Sequence, residues 1–270
     1  MEKRTISAGF IALICYSILY YSGTPVVIQG AAAALCCFCV YELACATEAI
    51  RNEALFTLTI LGAFLLSFWD AAEEARLAGI CLAISLPFFA LLMVYQPKMQ
   101  LKNGWSFLVL SILVCTQLRS IVALRAQPFG VHLTVISVTE CFATDVAAYL
   151  VGSRYGKRKL LPAVSPHKTV LGSVAGMAAA VIFCLLYGLG LQVWLHAQVN
   201  YPLLVLYAVL ANMLAQFGDL SMSVVKRITG IKDYGSLIPG HGGLLDRFDS
   251  LIFVLPFTLL FLWLTGGFLR

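Results

Sequence analysis

Residues 226–249 of this 270-residue chain combine cations, glycines and carboxylates in a pattern that suits phosphate chemistry. Glycines beside His241 allow close backbone approach and leave N–H groups available to an anion. Lysine and arginine can neutralise phosphates, and arginine can hold two oxygens at once. Asp246 and Asp249 lie about one turn apart if the segment is helical, and such oxygen ligands suit Mg²⁺ bound with substrate phosphates. The segment therefore predicts metal-assisted phosphoryl or nucleotidyl transfer.

A second polar segment, residues 152–169, shares this character. The two segments cover 42 residues but hold 12 of the 31 charged residues and two of the four histidines. Connections that only link helices would not need this concentration of charge. We therefore expect the function to lie in these two segments.

The helix expected to lead into the 226–249 segment carries a polar face. Asn212, Gln216, Asp219, Ser223 and Lys226 recur at spacings of four, three, four and three, which places them on one side of a helix. For Asn212 and Gln216 two interpretations stay open, namely hydrogen bonding between helices and a role in the site. For Asp219, which lies on the face that leads toward a basic segment, we favour a functional role.

Three further carboxylates lie within apolar runs. Asp145 comes shortly before the 152–169 segment and shares a helix face with Tyr149, so we assign it to the same site. Glu140 lies deeper, where pairing with another helix is sufficient explanation. Glu42 has no polar loop beside it in the sequence, and we interpret it as structural.

The composition requires a membrane to surround these elements. Hydrophobic residues make up 61% of the chain, charged residues only 11%, and the mean hydropathy is +0.91. These values exclude a water-soluble globular domain and a disordered chain. Continuous apolar runs predict an all-α polytopic protein of about nine transmembrane helices with no separate soluble domain. The runs begin near Thr5, Pro25, Ala54, Arg76, Trp105, Phe129, Lys168, Tyr201 and Ser250.

Within this single membrane domain, residues 1–270, we expect residues 1–130 to be scaffold helices. Residues 131–270 would then be the catalytic helices with the two polar segments. The run from Ala54 to Trp69 is short and is the least secure span.

The distribution of lysine and arginine predicts the orientation. With a cytoplasmic N-terminus and nine spans, 14 of these residues fall on the cytoplasmic side and four on the other, as the positive-inside rule requires. The net charge of +5 then lies mostly beside anionic lipid headgroups, and nothing indicates nucleic acid. The cytoplasmic group consists of Lys3, Arg4, Arg51, Lys98, Lys102, Arg154, Lys157, Arg158, Lys159, Lys168, Lys226, Arg227, Lys232 and Arg247, and the other of Arg76, Arg119, Arg125 and Arg270.

The nine cysteines all lie in apolar runs. An odd number of thiols within lipid argues against a disulfide framework. Cys36, Cys37 and Cys39 lack the loop and the histidines of a zinc site, so we interpret them as helix-packing residues.

The pattern from Ser223 to Asp249 resembles the complete signature of the phosphatidate cytidylyltransferases, or CDP-diacylglycerol synthases. A second block, from Asp145 to Gly176, resembles the same family. Its matching positions are Asp145, Ala148, Tyr149, Gly152, Gly156, Lys157, Ser165, Pro166, Lys168 and Thr169.

One position departs from the family pattern. The family often has an aromatic and then an acidic or amide residue after Lys-Thr, where this chain has Val170 and Leu171 before Gly172. This difference leaves room for an altered lipid specificity. Gly172 and Gly176 form a small-xxx-small pair, for which close helix packing is the expected role, and a homodimer is a further expectation from the family.

The resemblance implies transfer of a cytidylyl group from CTP to phosphatidic acid, with pyrophosphate as the second product and Mg²⁺, with room for a second cation, as cofactor. It implies that Asp219 and Asp246 bind metal, with Asp249 either as a further ligand or as a carboxylate just outside the ligand shell. Other catalytic positions are Lys226, Arg227, Lys232, Asp233 and Arg247. The substrate-binding positions are Asp145, Ser165, Lys168, Thr169, Ser223, His241, Gly242 and Gly243. For His241 two interpretations stay open, namely a hydrogen-bond donor to phosphate and a structural part of the turn.

Two other classes of function remain open at this point. One is another CTP-dependent lipid enzyme, either a lipid kinase or a cytidylyltransferase for a different lipid phosphate. The other is an anion transporter, for which broken helices or paired halves near mid-membrane would be expected. We expect a location in the bacterial inner membrane, with the N-terminus and both polar segments cytoplasmic.

Overall fold

A computed structural model describes residues 17–18, 20–68, 74–95, 101, 104–235 and 242–269. Helices form nearly all of it. They are α1 (Pro25–Ala46), α2 (Glu53–Ser67), α3 (Glu74–Tyr95), α4 (Gly104–Leu118), α5 (Ser120–Arg125), α6 (Gly130–Tyr155), α7 (Val170–Leu195), α8 (Tyr201–Thr229), α9 (Leu245–Phe248) and α10 (Leu251–Thr265), with a short 3-10 turn at Ala49–Arg51.

Seven helices in the described ranges are long and apolar enough to cross a membrane, which confirms the all-α polytopic class. Two of the seven are composite, α4 with α5 and α9 with α10. Helix α2 has 15 residues and reaches only about 22 Å, short of the hydrocarbon thickness. The first predicted span, from Thr5, lies outside the described residues, and the count of nine is not confirmed.

Several charged positions used for the orientation also lie outside the described residues, so the orientation stays a prediction. They are Lys3, Arg4, Lys98, Lys102 and Arg270. Of the nine cysteines, Cys15 is outside as well, and the other eight are free thiols, as expected.

Local sequence sets the bounds of the two longest helices near the candidate site. The Thr169 hydroxyl accepts a hydrogen bond from the Gly172 N–H at 3.1 Å and begins α7. The Asn200 side chain accepts from the Leu203 N–H at 3.2 Å and begins α8. Gly230 ends α8 with φ of +79°, a conformation that glycine adopts without a side-chain clash.

Helices α6 and α7 pack closely through glycines. A Cβ atom at Gly172 would lie 2.6 Å from the carbonyl oxygen of Ala148, and one at Gly176 would lie 3.0 Å from the carbonyl oxygen of Thr144. The expected packing role of the small-xxx-small pair is therefore confirmed.

Replacing Gly172 with Ala should destabilise the protein by about 1–3 kcal/mol, because a backbone atom rather than a flexible side chain blocks the added methyl group. The melting temperature in detergent is the measurement. Gly62→Ala is the matched control, since Gly62 also lies inside a helix but has open space around it. Equal melting temperatures for the two variants would contradict the packing interpretation.

The segment between α6 and α7 forms an antiparallel hairpin of β1 (Lys159–Leu161) and β2 (Ser165–Thr169), in which Lys159 pairs with Thr169. This small sheet lies within the 152–169 segment that sequence analysis treated only as a loop. It leads directly into the cap of α7, so Lys168 is held next to a helix end.

Helix α8 lies against α7 and α10. At Gly218 the backbone of α8 closely approaches that of Asp249, because a Cβ atom at Gly218 would lie 2.7 Å from the carbonyl oxygen of Asp249. The rings of Phe217 and Phe253 meet edge to face beside it, with centroids 5.3 Å apart. This packing brings Asp219 on α8 close to Asp249, which precedes α10.

Candidate active site

The two polar segments meet in the structure. Arg227 at the end of α8 donates a hydrogen bond from Nε to the Val164 carbonyl oxygen in the hairpin, at 3.1 Å. Lys168 on β2 forms a salt bridge with Asp219 on α8. Residues more than 50 positions apart in sequence therefore form one site.

The deep part of the polar face on α8 serves helix packing. Asn212 donates to the Thr144 hydroxyl on α6 at 2.5 Å, and Gln216 donates to the Ser173 carbonyl oxygen on α7 at 3.2 Å. Gln216 also bonds to Asn212 at 2.6 Å. Of the two interpretations left open, the structure shows hydrogen bonding between helices for both residues.

Nearer the end of α8 the polar face becomes charged. The Asp219 carboxylate pairs with Lys168 and also accepts a hydrogen bond from the Ser223 hydroxyl at 3.4 Å. Both side chains of the ion pair remain partly accessible, with relative exposures of 29% for Lys168 and 20% for Asp219. An incoming anion can therefore reach the lysine.

Asp246 organises the second segment. One carboxylate oxygen lies 2.7 Å from Lys226 Nζ. The other accepts hydrogen bonds from the backbone N–H groups of Tyr234, at 2.9 Å, and Gly243, at 3.0 Å. One aspartate thus connects the end of α8, the chain that follows it and the start of α9.

Tyr234 makes further contacts with α8. Its hydroxyl donates to the Met222 carbonyl oxygen at 2.9 Å, and its ring lies 5.5 Å from Lys226 Nζ. Burial, together with the nearby carboxylate of Asp246, raises the pKa of the Tyr234 phenol well above its usual value. The phenol therefore stays neutral and keeps its role as a donor.

Three carboxylates gather around Lys168. Asp145 on α6, Asp219 on α8 and Asp249 before α10 are near enough to interact electrostatically with one another and with this lysine. Asp145 is exposed at the site, whereas Asp249 is 7% exposed. Such a concentration of negative charge attracts cations, either ammonium groups or a metal ion.

The donor chemistry of this cluster fits Mg²⁺, which commonly binds one or two carboxylates and completes its shell with water and substrate phosphates. Within the described ranges, no three His, Cys, Asp or Glu side chains are grouped closely enough to hold a metal ion by themselves. The assignment of Asp219, Asp246 and Asp249 as ligands stays a prediction.

The other predicted positions of the second segment differ in what the structure shows of them. Lys232, Asp233 and Arg247 are exposed, and a Cβ atom at Gly242 would lie 3.3 Å from an Asp246 carboxylate oxygen. Gly242 has φ of +85°, which favours glycine. His241 lies outside the described residues, so its predicted role stays open.

Ser165 and Thr169 flank Lys168 on β2 with different exposure. Ser165 is partly exposed, and Thr169 is buried. The Thr169 hydroxyl is engaged in the cap of α7, and Gly152, Gly156 and Gly172 lie close around it. Thr169 therefore fixes the start of α7, and the substrate-binding roles of both residues stay predictions.

The interpretation of Glu42 as remote from any functional loop is wrong. Its carboxylate accepts hydrogen bonds from the N–H groups of Leu244 at 2.8 Å and Leu245 at 2.7 Å, so it lies directly beside the second segment. The available signal was its ionisable side chain near one end of an apolar helix. Glu140, in contrast, is buried away from the site, with Cys184 Sγ 4.0 Å from one oxygen.

The sequence is similar to a known protein family over nearly its whole length. The model of the "Cytidylyltransferase family" matches residues 2–265. The chain belongs to the cytidylyltransferase family. A relative named phosphatidate cytidylyltransferase from Bacillus subtilis (strain 168) is 32% identical over 219 residues, 77% of each chain.

Two more relatives are named phosphatidate cytidylyltransferase. The protein from Thermotoga maritima is 27% identical over 274 residues, covering 100% of this chain and 99% of its own. The protein from Staphylococcus saprophyticus is 40% identical over 127 residues, 47% of each chain.

The departure from the family pattern lies at the first turn of α7. Val170 and Leu171 follow the capping Thr169 directly, and Leu171 is 46% exposed. The two apolar residues therefore lie close to Lys168 in sequence, at the start of α7. Their effect on lipid specificity stays a prediction.

Proposed function

We propose that this member of the cytidylyltransferase family transfers the cytidylyl group of CTP to phosphatidate, giving CDP-diacylglycerol and pyrophosphate for phospholipid synthesis. The observation that carries the proposal is that the two cationic segments meet at a cluster of carboxylates in a membrane helix bundle. The carboxylates are Asp145, Asp219 and Asp249, and they gather around Lys168. The named activity of its relatives supports the same reaction.

In this reaction a phosphate oxygen of the lipid attacks the α-phosphorus of CTP, and the bond to pyrophosphate breaks. The attacking oxygen is already anionic, so no general base is needed. The contribution of the protein is to position two anionic substrates and to neutralise their charge.

The cationic side chains lie where each can contact a different phosphate group. Lys168 and Lys226 each pair with an aspartate, and phosphate oxygens can replace the aspartate as partner. Asp219 and Lys226 are seven residues apart on α8, a rise of about 10 Å, which suits contacts with separate phosphates. The exposed Lys232 and Arg247 extend the positive surface toward the water side.

Asp219, Asp246 and Asp249 would each contribute ligands to Mg²⁺ in this proposal, with substrate oxygens supplying the rest and with room for a second cation. The ion would supply charge stabilisation to the phosphates and to the departing pyrophosphate. Asp145 adds negative charge at the same place and favours cation binding.

The setting of the site supports a lipid substrate. Most of the surrounding surface is apolar helix, and the cationic side chains collect at one end of the bundle. We place the protein in the bacterial inner membrane with this end cytoplasmic, in keeping with the positive-inside rule. A homodimer belongs to the proposal as an expectation from the family.

The direct test incubates purified protein in detergent with labelled CTP, Mg²⁺ and phosphatidate. We expect CDP-lipid and pyrophosphate in equal amounts, and neither product when phosphatidate is omitted. CDP with a newly phosphorylated lipid, from diacylglycerol or an isoprenoid alcohol as acceptor, would identify a kinase instead. Failure to form CDP-lipid with several different lipid phosphates would refute the cytidylyltransferase proposal.

A further inference from the structure

Glu42 joins the N-terminal half of the chain to the candidate active site. It lies on α1 and is 3% exposed, and its two carboxylate oxygens accept hydrogen bonds from the consecutive N–H groups of Leu244 and Leu245. Both bonds, at 2.8 and 2.7 Å, are short and well within the range for a charged acceptor. The contact spans more than 200 positions of sequence.

Two glycines of the second segment lie close to this carboxylate. A Cβ atom at Gly235 would lie 2.6 Å from Glu42 Oε1, and one at Gly243 would lie 2.7 Å from either oxygen. Glu42 therefore lies close to the backbone at both Gly235 and Gly243. In the described part of the chain, the hydrogen-bond partners found for the Glu42 carboxylate are backbone N–H groups.

The bonds to Glu42 lie next to the aspartate that organises the site. Leu245 precedes Asp246, and the Gly243 N–H that accompanies them donates to Asp246 at 3.0 Å. A shift of the backbone at 243–245 would therefore move the Asp246 carboxylate relative to Lys226, its partner at 2.7 Å. Only backbone atoms connect the N–H groups that Glu42 binds to Asp246. Few torsion angles can therefore absorb a shift between them.

We propose that Glu42 is a positioning residue for nucleotidyl transfer, which holds the backbone of residues 243–245 so that Asp246 faces Lys226 and the substrate phosphates. The proposal rests on the function proposed above. It assigns part of the active site to a helix in the half of the chain that sequence analysis treated as scaffold. Glu42 acts through Asp246 and does not itself contact substrate.

The consequence for the reaction follows from geometry. Without the Glu42 carboxylate, two buried N–H groups lose their acceptor and the backbone must shift to find others. Misplacement of a reacting or charge-stabilising group by about 1 Å can reduce a rate by about a hundredfold. We expect the loss in kcat rather than in KM, because the cationic side chains that bind the substrates are unchanged.

The kinetic test compares Glu42→Ala and Glu42→Gln with Glu140→Gln, a control that also removes a buried carboxylate from a membrane helix. We expect kcat to fall about tenfold to a hundredfold in Glu42→Ala, with KM for CTP changed less than about threefold. Glu42→Gln keeps one oxygen acceptor and should give an intermediate rate. Glu140→Gln should keep the wild-type rate, and an unchanged kcat in Glu42→Ala would overturn the proposal.

Hydrogen–deuterium exchange of the same purified proteins provides a readout independent of activity. In Glu42→Ala, peptides covering 242–249 should exchange faster, while peptides from α6 and α7 keep their wild-type rates. Uniformly faster exchange, or no change at 242–249, would overturn the positioning role. If wild-type protein shows no transfer at all, the proposed function fails, and the exchange result still decides whether Glu42 holds this backbone.

Discussion

Replacing Asp246 with Asn should abolish detectable turnover, a loss of at least about a hundredfold in kcat, while the protein still inserts and purifies normally. Asn has nearly the same shape, so the fold can be kept. It lacks the charge that Lys226 faces at 2.7 Å and that the N–H groups of Tyr234 and Gly243 approach. It is also a poorer ligand for Mg²⁺ than a carboxylate.

The measurement is kcat with saturating CTP and phosphatidate, together with the melting temperature and the gel-filtration profile in detergent. Glu53→Gln is a suitable control, because it neutralises an exposed carboxylate at the start of α2 and should keep the wild-type rate. Near-normal activity of Asp246→Asn would show that this carboxylate is not an essential metal ligand.

Asp219→Asn should also abolish detectable turnover, with a loss of at least about a hundredfold, for a different physical reason. Asp219 is the partner of Lys168 and a member of the carboxylate cluster with Asp145 and Asp249. Neutralising it weakens the attraction of the cluster for a divalent cation and leaves Lys168 without its ion-pair partner.

The assay for Asp219→Asn is activity across a Mg²⁺ titration, because any residual rate should need a higher Mg²⁺ concentration. Ser221→Ala controls for changes on the same helix, since the Ser221 hydroxyl donates a hydrogen bond within α8, to the Phe217 carbonyl oxygen. Wild-type activity and wild-type Mg²⁺ dependence in Asp219→Asn would remove this residue from the metal site.

The two variants test different parts of one arrangement. Asp246 bonds to the segment after α8 and to Lys226, whereas Asp219 forms a salt bridge with Lys168 of the hairpin. Both aspartates are held by helix α8 or by contacts with its end. Shortening or rotating α8 would therefore disturb both ion pairs together.

Much of this protein could be predicted from sequence because the signals involved are local. Apolar runs predict the membrane helices, since each span must be apolar along its own length. The polar face from Asn212 to Lys226 follows from helical periodicity alone. The glycines and charges of 226–249 and the residues around Lys168 were recognisable because catalytic motifs are short and contiguous.

Sequence also predicted that Gly172 and Gly176 are packing residues, since small residues four apart allow two helices to approach. It left Asn212 and Gln216 open, because an amide on a membrane helix serves equally well in packing and in binding. Only the positions of Thr144 on α6 and Ser173 on α7 decided between the two.

The sequence by itself determined the membrane class, the charged face of α8 and the residues that could handle phosphate, because these depend on neighbours along the chain. Tertiary structure alone decided that Lys168 meets Asp219, that Gly218 brings Asp219 beside Asp249, and that Glu42 holds the backbone next to Asp246. Hydropathy and spacing do not report which distant segments touch. Those contacts depend on how the helices pack, and a buried carboxylate such as Glu42 shows its role only through the N–H groups that packing brings to it.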